Sequence, residues 1–355
     1  MTFLMAGGGT GGHVFPAIAV AGELRRRGHQ PVFFGTARGY ESRLVPAAGF
    51  SLELIEAGGL NRVGVVQKLR TVLQLPLAVA RVWSWIGRHR PAAVFSMGGY
   101  VAGPVVLAAI LRSVPLVAME PNALPGLTTR RLARWTAKAL VNFPDTVQWF
   151  PPGIAEVTGV PVREEFFAVP QRQSSDIPAV LVTGGSQGSR TLNNAGLDGW
   201  PRFHKAGVRV SIVHQAGRGN AAPLHEVFER NGINGEAVEF LADMPAAFAA
   251  ADLVVCRAGA STVAELAAAG KPSILVPFPF AADDHQQKNA EAMQRAGAAR
   301  VVADADFTGE RLFEEVTRLL ADREALRQMS ENARALGKPG AAARAADVLE
   351  VIHER

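Results

Sequence analysis

The chain has 355 residues, 48% of them apolar and 19% charged, enough for two globular α/β domains and unlike a disordered protein. Its formal charge of +5 and pI near 9.8 suit phosphorylated substrates, anionic lipid or nucleic acid. The one cysteine, Cys256, excludes an intramolecular disulfide and fits a reducing compartment. It ends the apolar run Leu253-Val254-Val255, where it reads as a small buried hydrophobe. No secretory signal is visible, and no apolar run reaches the roughly 18 residues of a spanning helix. A soluble, cytoplasmic protein is expected.

The first predicted strand is Phe3-Leu4-Met5-Ala6, followed by Gly7-Gly8-Gly9-Thr10-Gly11-Gly12 and a helix. That helix has Pro16 near its start, Arg25, Arg26 and Arg27 in its last turn, and Gly28 just beyond. Val32–Phe34, Val94–Phe95 and Leu116–Ala118 read as further strands. Between Glu56 and Glu120 there is no carboxylate, yet Arg62, Lys68, Arg70, Arg81, Arg88, Arg90 and Arg112 fall there. In the same stretch Val65, Val66, Leu69, Val72, Leu73, Leu77, Ala80 and Trp83 recur at helical spacing, with Pro76 expected to kink or divide the helix. Apolar groups beside unbalanced cations suit docking on an anionic membrane surface, although part of this helix must be core.

Around Ala179 the pattern restarts: strand Ala179–Val182, loop Thr183-Gly184-Gly185-Ser186-Gln187-Gly188, then a helix. Val208–Val213, Val238–Leu241, Leu253–Cys256 and Ile274–Val276 supply further strands. Strands alternating with helices imply parallel sheets, and the restart implies two of them. Domains are expected at 1–160 and 161–339, with the last helix, within 340–355, belonging to either half.

Glycine loops between strand and helix let backbone N–H groups approach an anion. Gly7-x-Gly9-x-x-Gly12 formally matches a dinucleotide fingerprint, but the second strand lacks a terminal acid and the first carboxylate is Glu41. A nicotinamide-dependent oxidoreductase is therefore a minor alternative. His13, at a helix start that disfavours imidazolium, is either an exposed helix-start residue or a neutral base. Thr262-x-x-Glu265 fits a capping box; alternatively, Glu265 accepts from two ribose hydroxyls while the Ala260–Val263 amides face a diphosphate. Asp283-Asp284-His285 gives poor metal geometry, and the amides Gln286 and Gln287 better suit sugar hydroxyls.

Gly9–Pro16, Gly98-Gly99-Tyr100, Glu120-Pro121-Asn122, Gly184–Gly188, Cys256–Ala260 and Gln286-Gln287 together resemble the MurG family of peptidoglycan glycosyltransferases, in order along nearly the whole chain. The resemblance implies a GT-B fold, two Rossmann-like α/β domains with parallel sheets facing across a cleft. It implies an inverting transfer of N-acetylglucosamine from UDP-N-acetylglucosamine to the 4-hydroxyl of an undecaprenyl-pyrophosphate-linked N-acetylmuramoyl-pentapeptide. Neither a metal nor another cofactor is expected, nor nucleic acid as a partner; the place of work would be the cytoplasmic membrane face.

By the same resemblance His13 is the catalytic base, and Thr10, Gly11 and Gly12 lie beside the sugar and diphosphate. Asn122 and Gln287 would contact the N-acetylglucosamine. Arg163, Ser186 and the run Ala260, Ser261, Thr262, Val263, Ala264 and Glu265 would hold the nucleotide, with Leu241 at the uracil edge. Pro121 departs from the family's commoner Gln, Ser261 from Leu and Leu241 from Ile; backbone contacts would survive the last two. A nucleotide-sugar-binding protein without catalysis, a glycolipid glycosyltransferase and a UDP-sugar epimerase are the alternatives.

Overall fold

The structure, a computed structural model, describes residues 1–9, 11–58, 65–172, 177–185 and 187–352, with side chains 65–72 excepted. It divides into two compact units, Met1–Arg163 with Lys338–Arg355, and Glu164–Gly337.

The first unit is built on seven strands: β1 (Thr2–Gly7), β2 (Gln30–Gly35), β3 (Ser51–Leu54), β4 (Ala93–Gly98), β5 (Leu116–Glu120), β6 (Lys138–Val141) and β7 (Ala155–Val157). They pair in parallel in the order β3-β2-β1-β4-β5-β6-β7. Alternate β1 residues serve opposite faces, as the strand period requires. Phe3 and Met5 join the core under helix Gly11–Arg26. Leu4 and Ala6 join the core under helices Val65–His89 and Ala102–Leu111. Burial on both faces is why the central strands are continuous apolar runs.

Helix Ala341–Ile352 packs on the first unit, placing Ala345, Ala346 and Leu349 in its core. Arg27 clamps it through Asp347 and Glu350, both at 2.7 Å, and His29 Nε2 lies 2.6 Å from Glu350.

The second unit holds β8 (Ala179–Thr183), β9 (Ser211–Gln215), β10 (Gly235–Val238), β11 (Leu253–Cys256), β12 (Ser273–Leu275) and β13 (Ala299–Val301). They are again parallel, in the order β10-β9-β8-β11-β12-β13. Both sheets thus reverse direction of winding beside their first strand, the Rossmann arrangement whose ligands bind at that switch point.

Three local expectations need correction. Pro76 does not divide helix Val65–His89 into two, because Ala78, Val82, Trp85 and Ile86 hold its following turns against the sheet. The strand expected at Val238–Leu241 lies earlier, since Gly235–Val238 pairs with Ile212–Gln215; Leu241 follows the strand. The strand expected at Val208–Val213 lies later, at Ser211–Gln215, for the same pairing reason.

Candidate active site

In the first unit the switch point lies between β1 and β4, and both strands end in glycine loops. After β1 the chain turns through Gly9 at φ +89 and enters its helix at Gly11, so Gly11, Gly12 and His13 occupy the first turn. Thr10 lies outside the described residues. After β4, Gly98 and Gly99 take φ values of +78 and +82. A Cβ at Gly99 would come within 2.9 Å of Gly8 O and 3.2 Å of His13 Nδ1. Glycine is required there for the two loops to touch.

His13 Nδ1 lies 3.2 Å from Gly8 O. A carbonyl only accepts, so Nδ1 carries a proton, and in a neutral ring Nε2 would be the basic nitrogen. Glu41, fully buried, accepts from Gly9 N–H and from both Thr36 N–H and Thr36 Oγ1, each at 2.9 Å. It is turned inward onto the loop, which disposes of it as a ribose acid.

Asn122 stands on the loop after β5. Its backbone N–H and Nδ2 donate to Glu120 Oε1 at 3.1 and 3.0 Å, and Gly126 N–H donates to Oε2 at 3.3 Å. Burial raises the Glu120 pKa, against the lowering effect of these bonds. Glu120 therefore fastens the loop that presents Asn122. Arg163 is exposed and is the last residue of the first unit's longer segment.

In the second unit the switch point lies between β8 and β11. Thr183 Oγ1 donates to Gln215 Oε1 at 2.5 Å and accepts Gly185 N–H at 3.2 Å, setting the loop that holds Ser186, itself outside the described residues. A Cβ on Gly188 would lie 2.0 Å from Ala216 O, and one on Gly217 2.4 Å from Gln187 O. Two stretches of bare backbone are thus pressed together behind this loop.

After β11, helix Ala260–Ala269 begins at Gly259, with no side-chain cap, and closes at left-handed Gly270. Val263 N–H makes a helical bond to Gly259 O at 2.9 Å, so the amides of Ala260, Ser261 and Thr262 precede the intrahelical ladder. The capping box expected at Thr262-x-x-Glu265 is absent, because the helix starts two residues before Thr262. Glu265 is half-buried one turn further on, behind Val263 and Ala264. Ser261 Oγ is buried without a hydrogen-bond partner among the described residues. An open helix N-terminus with an orphaned hydroxyl suits an anion.

The Gln286 side-chain oxygen is taken up by the loop: Oε1 accepts from Ala258 N–H at 3.2 Å and Phe278 N–H at 3.0 Å. Asn289 Nδ2 donates to Ala258 O at 3.1 Å, and Arg257 reaches Val276 O, Pro277 O and Asp304. These side chains fix the loop before the helix; sequence reasoning gave them no such task. Gln287 is half-buried and donates to Glu291 at 3.1 Å. Asp283 and Asp284 adopt left-handed φ values of 51 and 52, making the tight turn that starts helix His285–Arg295. Among the described residues no group of three or more His, Cys, Asp or Glu side chains is placed to hold a metal.

The glycosyltransferase family 28 N-terminal domain matches residues 3–141, and its C-terminal domain matches 179–348. The UDP-N-acetylglucosamine--N-acetylmuramyl-(pentapeptide) pyrophosphoryl-undecaprenol N-acetylglucosamine transferase of Solibacter usitatus is 57% identical over 99% of this chain and 96% of its own length. The chain belongs to the MurG family, within glycosyltransferase family 28. A relative of the same name from Anaeromyxobacter dehalogenans (strain 2CP-C) is 43% identical over 100% of this chain and 94% of its own. The crystal structure of Acinetobacter baumannii MurG aligns with a TM-score of 0.83 at 32% identity, over 99% of each chain. For this family the two Rossmann units amount to the GT-B architecture, with glycine loops at both switch points.

Proposed function

We propose that the chain transfers N-acetylglucosamine from UDP-N-acetylglucosamine to N-acetylmuramyl-(pentapeptide) pyrophosphoryl-undecaprenol, forming the lipid-linked disaccharide of peptidoglycan synthesis. The observation that carries this is 57% identity along 99% of the chain to a transferase of that name. In this reading the acceptor's 4-hydroxyl attacks the anomeric carbon, the bond to the diphosphate breaks, and UDP leaves with its electron pair. His13 Nε2 takes the hydroxyl proton. The Ala260–Thr262 amides and Ser261 Oγ meet the charge on the leaving diphosphate, Glu265 holds the ribose and the Leu241 backbone reads uracil. Asn122 and Gln287 hold the sugar; no added cofactor has a task.

The test is UDP release from UDP-N-acetylglucosamine with a soluble lipid-acceptor analogue. Saturable UDP binding without acceptor-dependent release would make the chain a nucleotide-sugar-binding protein instead.

Glu265→Gln separates binding from folding, because it keeps the size and hydrogen-bonding capacity of the side chain while Gly259, not Thr262, is the N-cap of this helix. Loss of one charge-assisted hydrogen bond to ribose should weaken UDP affinity by about 10- to 100-fold, with melting temperature unchanged. Unchanged affinity by calorimetry would remove Glu265 from the ribose site.

We further propose that the first unit docks reversibly on the cytoplasmic face of an anionic membrane. No described helix is long and apolar enough to cross one. Helix Val65–His89 buries Ala78, Val82, Trp85 and Ile86 yet exposes Leu73 by 67% and Leu77 by 74%. Trp83 and Leu111 are also exposed, and Arg112 stacks 3.5 Å above the Trp83 ring. Arg81, Arg88 and Arg90 are exposed on the same segment; Arg62 and the side chains of Lys68 and Arg70 lie outside the described residues. Each cation near an anionic surface contributes about 1 kcal/mol, so Arg81→Gln with Arg88→Gln should weaken vesicle binding roughly 30-fold. Turnover on membrane-embedded acceptor should fall with it, while turnover on a soluble analogue stays. Equal loss on both acceptors would rule the docking surface out.

A further inference from the structure

We infer that Glu41 acts on His13 through the single peptide group joining Gly8 to Gly9, fixing the imidazole as its Nδ1–H tautomer and leaving Nε2 to face the acceptor. The inference rests on the reading of His13 as the base. Its geometry is a three-part line. Glu41 Oε2 accepts Gly9 N–H at 2.9 Å, and the carbonyl of that same peptide, Gly8 O, accepts from His13 Nδ1 at 3.2 Å. The peptide unit is planar and stiff, so a displacement at its N–H end moves its oxygen. A negative charge at the N–H end also polarises the amide toward its oxygen, and hydrogen bonds in series strengthen one another by roughly 10–30% each. A carboxylate that never touches the imidazole can thus make Gly8 O a better acceptor.

The surroundings are shaped for this contact. A Cβ on Gly8 would lie 2.8 Å from the Glu41 carboxyl carbon, one on Gly39 2.1 Å from Oε2, and one on Gly35 2.5 Å from Cγ. Three glycines, one after β1, one at the end of β2 and one in the turn that follows it, make room for one buried side chain. Thr36 spends its hydroxyl proton on Glu41 Oε1, so Tyr100 Oη, 3.4 Å away, must donate into Thr36 Oγ1. The loops after β1, β2 and β4 are joined through this carboxylate. Any other tautomer of His13 would set a lone pair against Gly8 O.

A mere fastener would lower stability when removed and leave the imidazole's proton where it was. The two cases separate by nitrogen NMR of ¹⁵N-histidine-labelled enzyme, which reads the tautomer of His13 without turnover. In Glu41→Gln one oxygen becomes an amide donor facing N–H groups. The Nδ1–H form should give way to a mixture of tautomers, and kcat should fall about 10- to 100-fold, as when a histidine loses its orienting partner. KM for UDP-N-acetylglucosamine should not change. Thr36→Val, which removes one of the two donors to Oε1 and leaves Glu41 in place, should show a smaller shift of the same sign. It decides the matter if Glu41→Gln does not fold. A tautomer unmoved in the folded variant overturns the role of Glu41. Normal turnover in His13→Ala is a different failure and ends the assignment of the base instead.

Discussion

His13→Ala is expected to lower turnover by roughly 10²–10⁴, with UDP affinity kept. The two halves of that statement come from different units. His13 stands in the first turn of helix Gly11–Arg26, at the switch point of the first sheet. Its Nδ1–H donates to Gly8 O, and in the proposed reading Nε2 takes the proton of the attacking hydroxyl. The positive end of a helix disfavours imidazolium in its first turn. The groups proposed to hold nucleotide, Ser261 and Glu265 among them, belong to the second unit, and truncation at His13 leaves them unaltered. Glu120, the buried carboxylate at the end of β5, accepts from Asn122 and Gly126 of the following loop, an arrangement that serves loop shape. Acceptor-saturated turnover and calorimetric UDP titration of the variant check both halves. Turnover equal to the parent enzyme would require another base.

Much of the architecture was legible because buried parallel strands write themselves as unbroken apolar runs. Phe3–Ala6, Ala179–Val182 and Leu253–Cys256 are of this kind, and each lies inside an observed strand. Strands near the sheet edges left little trace. Ser51–Leu54 and Ala155–Val157 are only partly buried, so neither has the apolar run that marks a central strand. The edge strand Gly235–Val238 was misplaced toward Phe240, which is 65% exposed; apolar character drew the prediction beyond the pairing that fixes the strand.

The glycine loops were readable as motifs, whereas what holds them was not. Glu41 looked like an acid arriving too late for a ribose, and only three-dimensional proximity places it under Gly9. Gln286 has the same composition as its neighbour Gln287 but points its oxygen at backbone amides. Thr262 and Glu265 have capping-box spacing, yet the helix start at Ala260 depends on the strand and loop before it. Sequence spacing identifies residue types able to cap, staple or bind; the start of the helix decides which task they have.

Acidification should destabilise the second unit well before its carboxylates titrate, through His214. This residue sits on β9, fully buried. Trp200 Nε1–H donates to its Nδ1 at 3.3 Å, and its Nε2–H donates to Asn193 Oδ1 at 3.2 Å, so the neutral ring is satisfied and has no place for a second proton. Burial pushes its pKa from 6.5 down to about 3. Above pH 6.5 the residue is neutral folded or unfolded and contributes no pH dependence. Below it, the unfolded chain binds a proton that the folded unit refuses, so stability falls as pH drops from 6.5 toward 3. The slope is about 1.4 kcal/mol per pH unit, or roughly 2 kcal/mol by pH 5. Carboxylates held below their usual range, such as Glu315 and Glu291, give up their contributions only at lower pH, which leaves the interval from 6.5 to 5 to histidine. The network reaches the donor side, because Asn193 Nδ2 donates to Ala216 O at 2.9 Å, the carbonyl against which bare Gly188 is pressed. Loss of the His214 bonds should therefore loosen the loop Gly184–Gly188 together with the core beneath it. Urea unfolding of the parent enzyme at pH 7.5 and pH 5 should show the loss, and His214→Gln, less stable at pH 7.5, should show little further change at pH 5. A parent unfolding midpoint that stays constant between the two pH values would mean that His214 accepts its proton in the folded state.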